Sequence, residues 1–289
     1  MTLRSMLFVP ADSERKLAKG LTSPADALIL DLEDAVAAPR KAAARDAAAA
    51  FVAEHAARLT LQLYVRINPL DSGLAMFDLA AVVVPGLAGI MLPKTNSADD
   101  VRRLAFCLDA LEARAGVKAG TVRIVPVATE TAPAMLTMAS YTREVPRLAG
   151  ITWGAEDLSA AIGAIANCEA DGSLSPLYTL ANSLCLCAAA AAGVPAIDTL
   201  YGDFRDPAGL AASCAVSRRR GFAGRIAIHP DQVAVINAAF SPSDAELAHA
   251  RRVVEAFARQ PDAGTVGLDG AMLDLPHLKQ ARRTLGLDA

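Results

Sequence analysis

The chain has 289 residues, 53% of them apolar, and a formal net charge of −3 at pH 7. That supplies enough apolar surface for one large core, so disorder is not expected, and a barrel domain of about 250 residues plus an extension fits the length. No basic field is available for a nucleic-acid partner. Five cysteines (Cys107, Cys168, Cys185, Cys187, Cys214) form no CxxC pair. An odd count without that spacing points to reduced thiols in a cytoplasmic protein rather than to a disulfide framework or a zinc site.

The N-terminal stretch MTLRSMLFVPADSERK has only a short apolar run before charges resume, so it does not read as a signal peptide. Short aliphatic runs then alternate with Ala/Arg/Glu-rich stretches, the pattern of repeated βα units. The runs are SMLFVP (5–10), ALILDLED (27–34), LYVRIN (63–68), GIMLPK (89–94), RIVPVATE (123–130), GITWGAED (150–157), AIDTLYGD (196–203) and RIAIHP (225–230). Residues 42–56 and 98–115 are predicted helices. The uncharged stretch 173–197 is broken by Pro176, Asn182, Ser183, Gly193 and Pro195, so it is read as a buried barrel helix and not as a membrane span. Eight units without a GxGxxG loop favour a closed parallel (β/α)8 TIM barrel over an open doubly wound sheet. The barrel domain is expected over residues 1–260, following a final helix at 244–260. Residues 261–289 are surplus to an eight-fold barrel; the spacing of Leu278, Arg282 and Leu285 suggests a short helix, a C-terminal lid or an arm to a neighbouring subunit.

In nearly every unit the aliphatic run ends in a polar or special residue: Pro10, Glu33 and Asp34, Arg66 and Asn68, Lys94, Glu130, Glu156 and Asp157, Asp203, His229. In a parallel barrel these ends share one rim, where βα loops build active sites. Glu130 and Asp157 follow adjacent strands, and two carboxylates side by side suit Mg²⁺, or Mn²⁺, with waters and substrate oxygens completing the shell. The competing reading pairs each with an arginine or a helix N-terminus. Glu33 and Asp34 are expected behind the ligands, binding metal waters or orienting Arg66. Arg66, in a strand, can grip a substrate carboxylate bidentately or form a salt bridge to Glu33. Lys94 raises a rival Schiff-base chemistry, although its position as the last residue of a strand, with polar TNS following, suggests exposure. His229 reads as a turn residue.

Taken in order, SMLFVP, ILDLEDAV, YVRINP, LPK, TET, WGAEDL, AIHPDQ and DGAMLDLPHL make the chain resemble, over essentially its whole length, the citrate lyase β-subunit-like CoA-ester lyases of the HpcH/HpaI aldolase/citrate lyase family. The resemblance implies that Glu130 and Asp157 ligate Mg²⁺ and that Arg66 grips the keto-acid or hydroxy-acid part. It puts Phe8, Pro10, Lys16 and Arg40 along the entrance for CoA, which is part of the substrate. It also implies that Asp274 of AMLDLP enters a neighbouring subunit's site as an acid–base group, in a homotrimer or hexamer. Trp153 and Thr129 stand where the family usually has phenylalanine and an apolar residue. The expected activity is that of an enzyme, a Mg²⁺-dependent carbon–carbon lyase acting on a 3-hydroxy-acyl-CoA such as malyl-, citramalyl- or citryl-CoA. Alternatives are a class II aldolase acting on free pyruvate without CoA, or a non-catalytic citrate-lyase-like subunit.

Overall fold

In the computed structural model, which describes residues 3–58 and 60–287, the chain divides into two compact units, residues 1–240 and 241–289. The first alternates strand and helix in this order: β1 (Ser5–Pro10), α1 (Glu14–Leu21), β2 (Ala27–Asp31), α2 (Lys41–His55), β3 (Gln62–Arg66), α3 (Ala75–Val82), β4 (Gly89–Leu92), α4 (Ala98–Ala115) and β5 (Arg123–Pro126). It continues with α5 (Ala132–Thr137), β6 (Ile151–Thr152), α6 (Glu156–Ile162), α7 (Pro176–Ala192), β7 (Ala196–Asp198), α8 (Pro207–Arg220), β8 (Gly224–Ala227) and α9 (Pro230–Phe240). Local chemistry sets the helix ends. The Ser97 side chain accepts from Asp99 N at the start of α4, which stops at Gly116 in a left-handed conformation, and prolines stand in the first turns of α5, α7 and α8.

All eight strands pair in parallel in the order β5-β4-β3-β2-β1-β8-β7-β6. Single bridges, Ile124 to Leu148 and Val127 to Thr152, join the two ends and close the barrel. Strand alternation sends Met6, Ile29, Tyr64, Met91, Val125, Ile197 and Ile226 into the barrel interior, while Leu7, Leu28, Leu30, Val65 and Ile90 belong to the larger core that includes the helices. Each such side chain stabilises the fold by roughly 1.5–3 kcal/mol through its burial. Gly89 makes room for Tyr64, since a Cβ there would lie 2.3 Å from the ring.

The strands end sooner than the aliphatic runs predict. ALILDLED is strand only to Asp31, because the Asp31 carboxylate accepts from the backbone N–H of Glu33 (2.9 Å) and of Ala35 (3.2 Å) and turns the chain out of the ladder. In GITWGAED only Ile151 and Thr152 are strand, and Glu156 and Asp157 lie in the first turn of α6, where acidic side chains suit the helix dipole.

The second unit holds α10 (Asp244–Ala258), a hairpin of β9 (Thr265–Leu268) and β10 (Ala271–Asp274), and α11 (Leu275–Thr284), around Ala250, Val253, Phe257, Val266, Leu273 and Ala281. The helix expected at 244–260 therefore groups with the tail, and α9 is the last helix of the barrel unit. Ser243 and Glu246 form a capping box that restarts the chain as α10. The hairpin, absent from the expectation, turns at Asp269 and Gly270, both at positive φ. Among the described residues no helix is long and apolar enough to cross a membrane, and the uncharged 173–197 stretch contains α7.

Candidate active site

The top interior layer of the barrel is polar. Asp31 and Arg66 are register partners on β2 and β3, on the inward parity of Ile29 and Tyr64. Arg66 Nε donates to Asp31 Oδ1 (2.7 Å) and Nη2 to Oδ2 (2.6 Å), while the Phe8 ring lies 4.5 Å from the guanidinium carbon. Burial opposes the Arg66 charge, but the Asp31 hydrogen bonds and the charges of Asp31, Glu33 and Asp34 outweigh it and raise its pKa. The salt bridge expected with Glu33 is present as a 3.0 Å contact from Nη1 to Oε2, yet Asp31 is the main partner. With its Nε/Nη2 edge committed to Asp31, Arg66 has only its Nη1/Nη2 edge to offer a substrate.

Above this layer lies an acidic ring centred on Lys94. Its Nζ is 2.5 Å from Glu33 Oε1, 3.3 Å from Asp157 Oδ1 and 3.5 Å from Asp34 Oδ2. Its backbone N–H donates to Glu130 Oε2 at 2.6 Å, and φ at Lys94 is +50°, a left-handed conformation that lysine disfavours. The sequence suggested an exposed Lys94, but its side chain is only 29% exposed. Burial opposes its charge, while the Glu33 hydrogen bond and the charges of Glu33, Glu130 and Asp157 raise its pKa above the ordinary lysine value. A Schiff-base lysine needs the opposite, a lowered pKa.

Glu130 is buried on the loop after β5. Desolvation, with repulsion from Asp157 and Glu33, pushes its pKa up to about 8 despite the Lys94 N–H bond. Glu33 is raised too, by burial first, with Arg66 and Lys94 opposing. Its Oε2, though near Arg66, makes no hydrogen bond of acceptable geometry and is sealed from solvent. Gly154 of WGAED packs on Glu130: a Cβ there would come within 2.8 Å of Glu130 Cγ and 2.9 Å of Oε1. Thr129 Oγ1 accepts from Gly154 N at 3.2 Å and ties the two loops. Trp153 uses its indole N–H on Asp198 (2.7 Å).

Among the described residues no three His, Cys, Asp or Glu side chains are placed to hold a metal ion by themselves. Mg²⁺ asks for less, one or two carboxylates with waters and substrate oxygens. The donor set around Lys94 is all oxygen, and its carboxylates outnumber the two cations Arg66 and Lys94, so these residues fit such an ion.

Other expected residues scatter. Phe8 underlies Arg66, and Pro10 pairs with Asp31 at the end of β1. Lys16 is exposed on α1, and Arg40 braces the β1–α1 loop through Asp12 Oδ2 (2.8 Å) and the Asp12 carbonyl (2.7 Å). His229 is a turn residue whose Nδ1 accepts from Asp231 N, with its ring stacked on Phe204. Asp274 belongs to the second unit, where it is the N-cap of α11 and meets His277 Nδ1 at 2.5 Å. That hydrogen bond holds its carboxyl below the usual aspartate value. Sequence reasoning placed Lys94 on the rim but not its ion pairs with the acids, and it missed Gly154; the only signal for the latter is a glycine directly before AED. A cavity of ≈ 540 Å³ lies elsewhere, lined by residues that include Trp153, Ser217 and the paired Asp198 and Arg225. A smaller one of ≈ 170 Å³ adjoins the Pro93–Asn96 loop.

A closed eight-stranded parallel barrel carrying a ring of carboxylates on its loop rim defines a TIM-barrel enzyme of the acid-rimmed kind. Residues 4–230 match the model of the HpcH/HpaI aldolase/citrate lyase family, and the chain belongs to that family. It is 33% identical over 286 residues to citrate lyase subunit beta of Haemophilus influenzae, covering 98% of this chain and 95% of that one. A (3S)-malyl-CoA thioesterase of Cereibacter sphaeroides is 35% identical over 286 residues, covering 98% and 93%. Among solved structures, CitE from Mycobacterium tuberculosis in complex with magnesium, acetoacetate and coenzyme A superposes with a TM-score of 0.78 at 33% identity, covering 99% of this chain and 98% of that one. The expectation of a lyase holds at the level of the family.

Proposed function

We propose that the chain is a Mg²⁺-dependent carbon–carbon lyase of the cytoplasm that splits, or forms, a 3-hydroxy-acyl-CoA such as malyl-, citramalyl- or citryl-CoA, giving acetyl-CoA or another acyl-CoA and a 2-keto acid. The observation that carries this reading is the convergence of Glu33, Asp34 and Asp157 on one point, Lys94 Nζ, while the same residue's N–H holds Glu130. Four carboxylates facing one small region suit a hard cation better than any apolar or anionic ligand. The magnesium, acetoacetate and coenzyme A bound by the similar CitE support the same class of ligands.

Glu130 and Asp157 would hold the ion, which supplies Lewis-acid polarisation of the substrate's carboxylate and hydroxyl oxygens when bound. The Nη1/Nη2 edge of Arg66, whose Nη1 also meets Glu33, would orient the carboxylate, and the Asp31 and Phe8 contacts would keep that edge facing the rim. Asp274, acting from an adjacent subunit of a homotrimer or hexamer, would exchange a proton with the acyl carbon. In its present setting it is a stabilised carboxylate, a base or an anchor rather than an acid, so the acid role requires it to leave His277.

The test is a panel of acyl-CoA esters incubated with Mg²⁺ and assayed for released keto acid, with free hydroxy acids as the comparison. Keto acid from CoA esters alone supports the lyase; turnover of free acids alone favours the class II aldolase. A second reading, hydrolysis of the thioester, is favoured by the similarity to (3S)-malyl-CoA thioesterases, and free CoA appearing without keto acid would select it. Deleting the segment after Pro261 should lower kcat by about a hundredfold or more if Asp274 completes the site in trans; an equally active truncation rejects that role.

A further inference from the structure

We propose that Lys94 is a tethered cation that competes with the divalent ion for Asp157 and thereby sets how tightly the site binds that ion. The inference rests on the metal reading above and deepens it. Lys94 is fixed at both ends: its backbone N–H is held by Glu130, and its ammonium reaches Glu33 at 2.5 Å and Asp157 at 3.3 Å. The same residue thus touches both carboxylates assigned to the metal. A backbone at φ +50° is strained for lysine and persists because these two anchors determine it together.

An ammonium this close to Asp157 stands where a ligand of that carboxylate must arrive, and like charges a few ångströms apart repel strongly in a half-buried site. The ammonium need not leave the ring to make way. Glu33 keeps its contact with Nζ through Oε1, while its other oxygen, Oε2, faces Arg66 Nη1 at 3.0 Å. The contact to Asp157 is the longer of the two and the Asp157 side chain is 31% exposed, so it is the one released first. Metal-free, the lysine neutralises part of the acidic ring; with the ion bound, it remains on Glu33 and weakens the ion's hold. A purely structural salt bridge predicts the reverse, since removing it would slacken the carboxylates and loosen the ion.

The experiment titrates the metal-stripped full chain with Mn²⁺ by electron paramagnetic resonance and with Mg²⁺ by calorimetry, for the native protein and for Lys94→Met, Lys94→Gln and Lys94→Arg. The neutral variants should bind either ion roughly tenfold more tightly, and Lys94→Arg should stay within about threefold of the native value. Neutral variants that bind equally or more weakly overturn the proposal while leaving the metal reading intact. No binding by the native chain at millimolar ion overturns both. Should Met and Gln fail to fold at this backbone angle, Lys94→Gly, which accepts positive φ, carries the same comparison.

Discussion

Two groups of charge within the barrel unit end in opposite states. Behind β7 and β8, Asp198 faces Arg225: its Oδ2 takes Arg225 and Ser217, and its Oδ1 takes Trp153 (2.7 Å) and Thr199 N (2.9 Å). Arg225 also donates to Ser213 (2.8 Å), leaving only its Nε unmet. One carboxylate answers one guanidinium, and the pair is sealed. At the rim of β2 to β6, five carboxylates (Asp31, Glu33, Asp34, Glu130, Asp157) face two cations, Arg66 and Lys94. The excess shows as a raised Glu130 and a raised Glu33. The balanced pair is architecture, whereas an excess of carboxylates on a barrel rim suits a cationic ligand.

The sharpest way to break this contrast is to remove rim acids one at a time. Glu130→Ala or Asp157→Ala should cut metal-dependent turnover by about 10³-fold or more with the circular dichroism spectrum unchanged; retained activity would remove them from the site. Asp198→Ala should behave the other way, lowering stability in urea denaturation by about 3–5 kcal/mol because Arg225 is left buried and unpaired, with metal affinity of the folded protein intact. A loss below about 1 kcal/mol would mean the two regions differ less than their geometry suggests. Gly154→Ala adds a Cβ against the Glu130 carboxylate and should weaken Mg²⁺ binding by about tenfold while moving Tm by only about 2 °C, since a flexible side chain and not backbone must yield. The contrast extends to pH. The folded, metal-free chain keeps a proton on Glu130 up to about 8, whereas the unfolded chain releases it near 4.5, so stability should fall as pH rises between those values and level off above. Glu130→Gln should flatten that slope, and a native chain whose Tm is constant from pH 5 to about 8 would contradict the raised value.

Much of this was legible in the sequence. Aliphatic runs located all eight strands, because a buried parallel strand has no polar residues to blur its pattern. The acids after those runs marked the rim, including Glu33, Glu130 and Asp157. What escaped depended on geometry that periodicity does not encode. Lys94 read as exposed because nothing in LPK announces a left-handed residue whose side chain crosses to β2 and α6. Asp198 was passed over for Asp203 because AIDTLYGD was read as strand to its end; the strand stops at Asp198 and Asp203 is exposed. The sequence places the unit boundary at residue 260 because α10 resembles any other barrel helix, and the capping box at Ser243 marks where that helix starts but not which unit it joins.

The closure of the barrel has one further consequence. Every neighbouring pair of strands is stitched by a continuous ladder except β5 and β6, which meet through single bridges. Glu130 follows one lip of that seam and Asp157 the other. On the proposed reading, an ion shared between them works as a clasp on a hoop: springing the ring open at its thinnest join and letting the ion go become the same mechanical event.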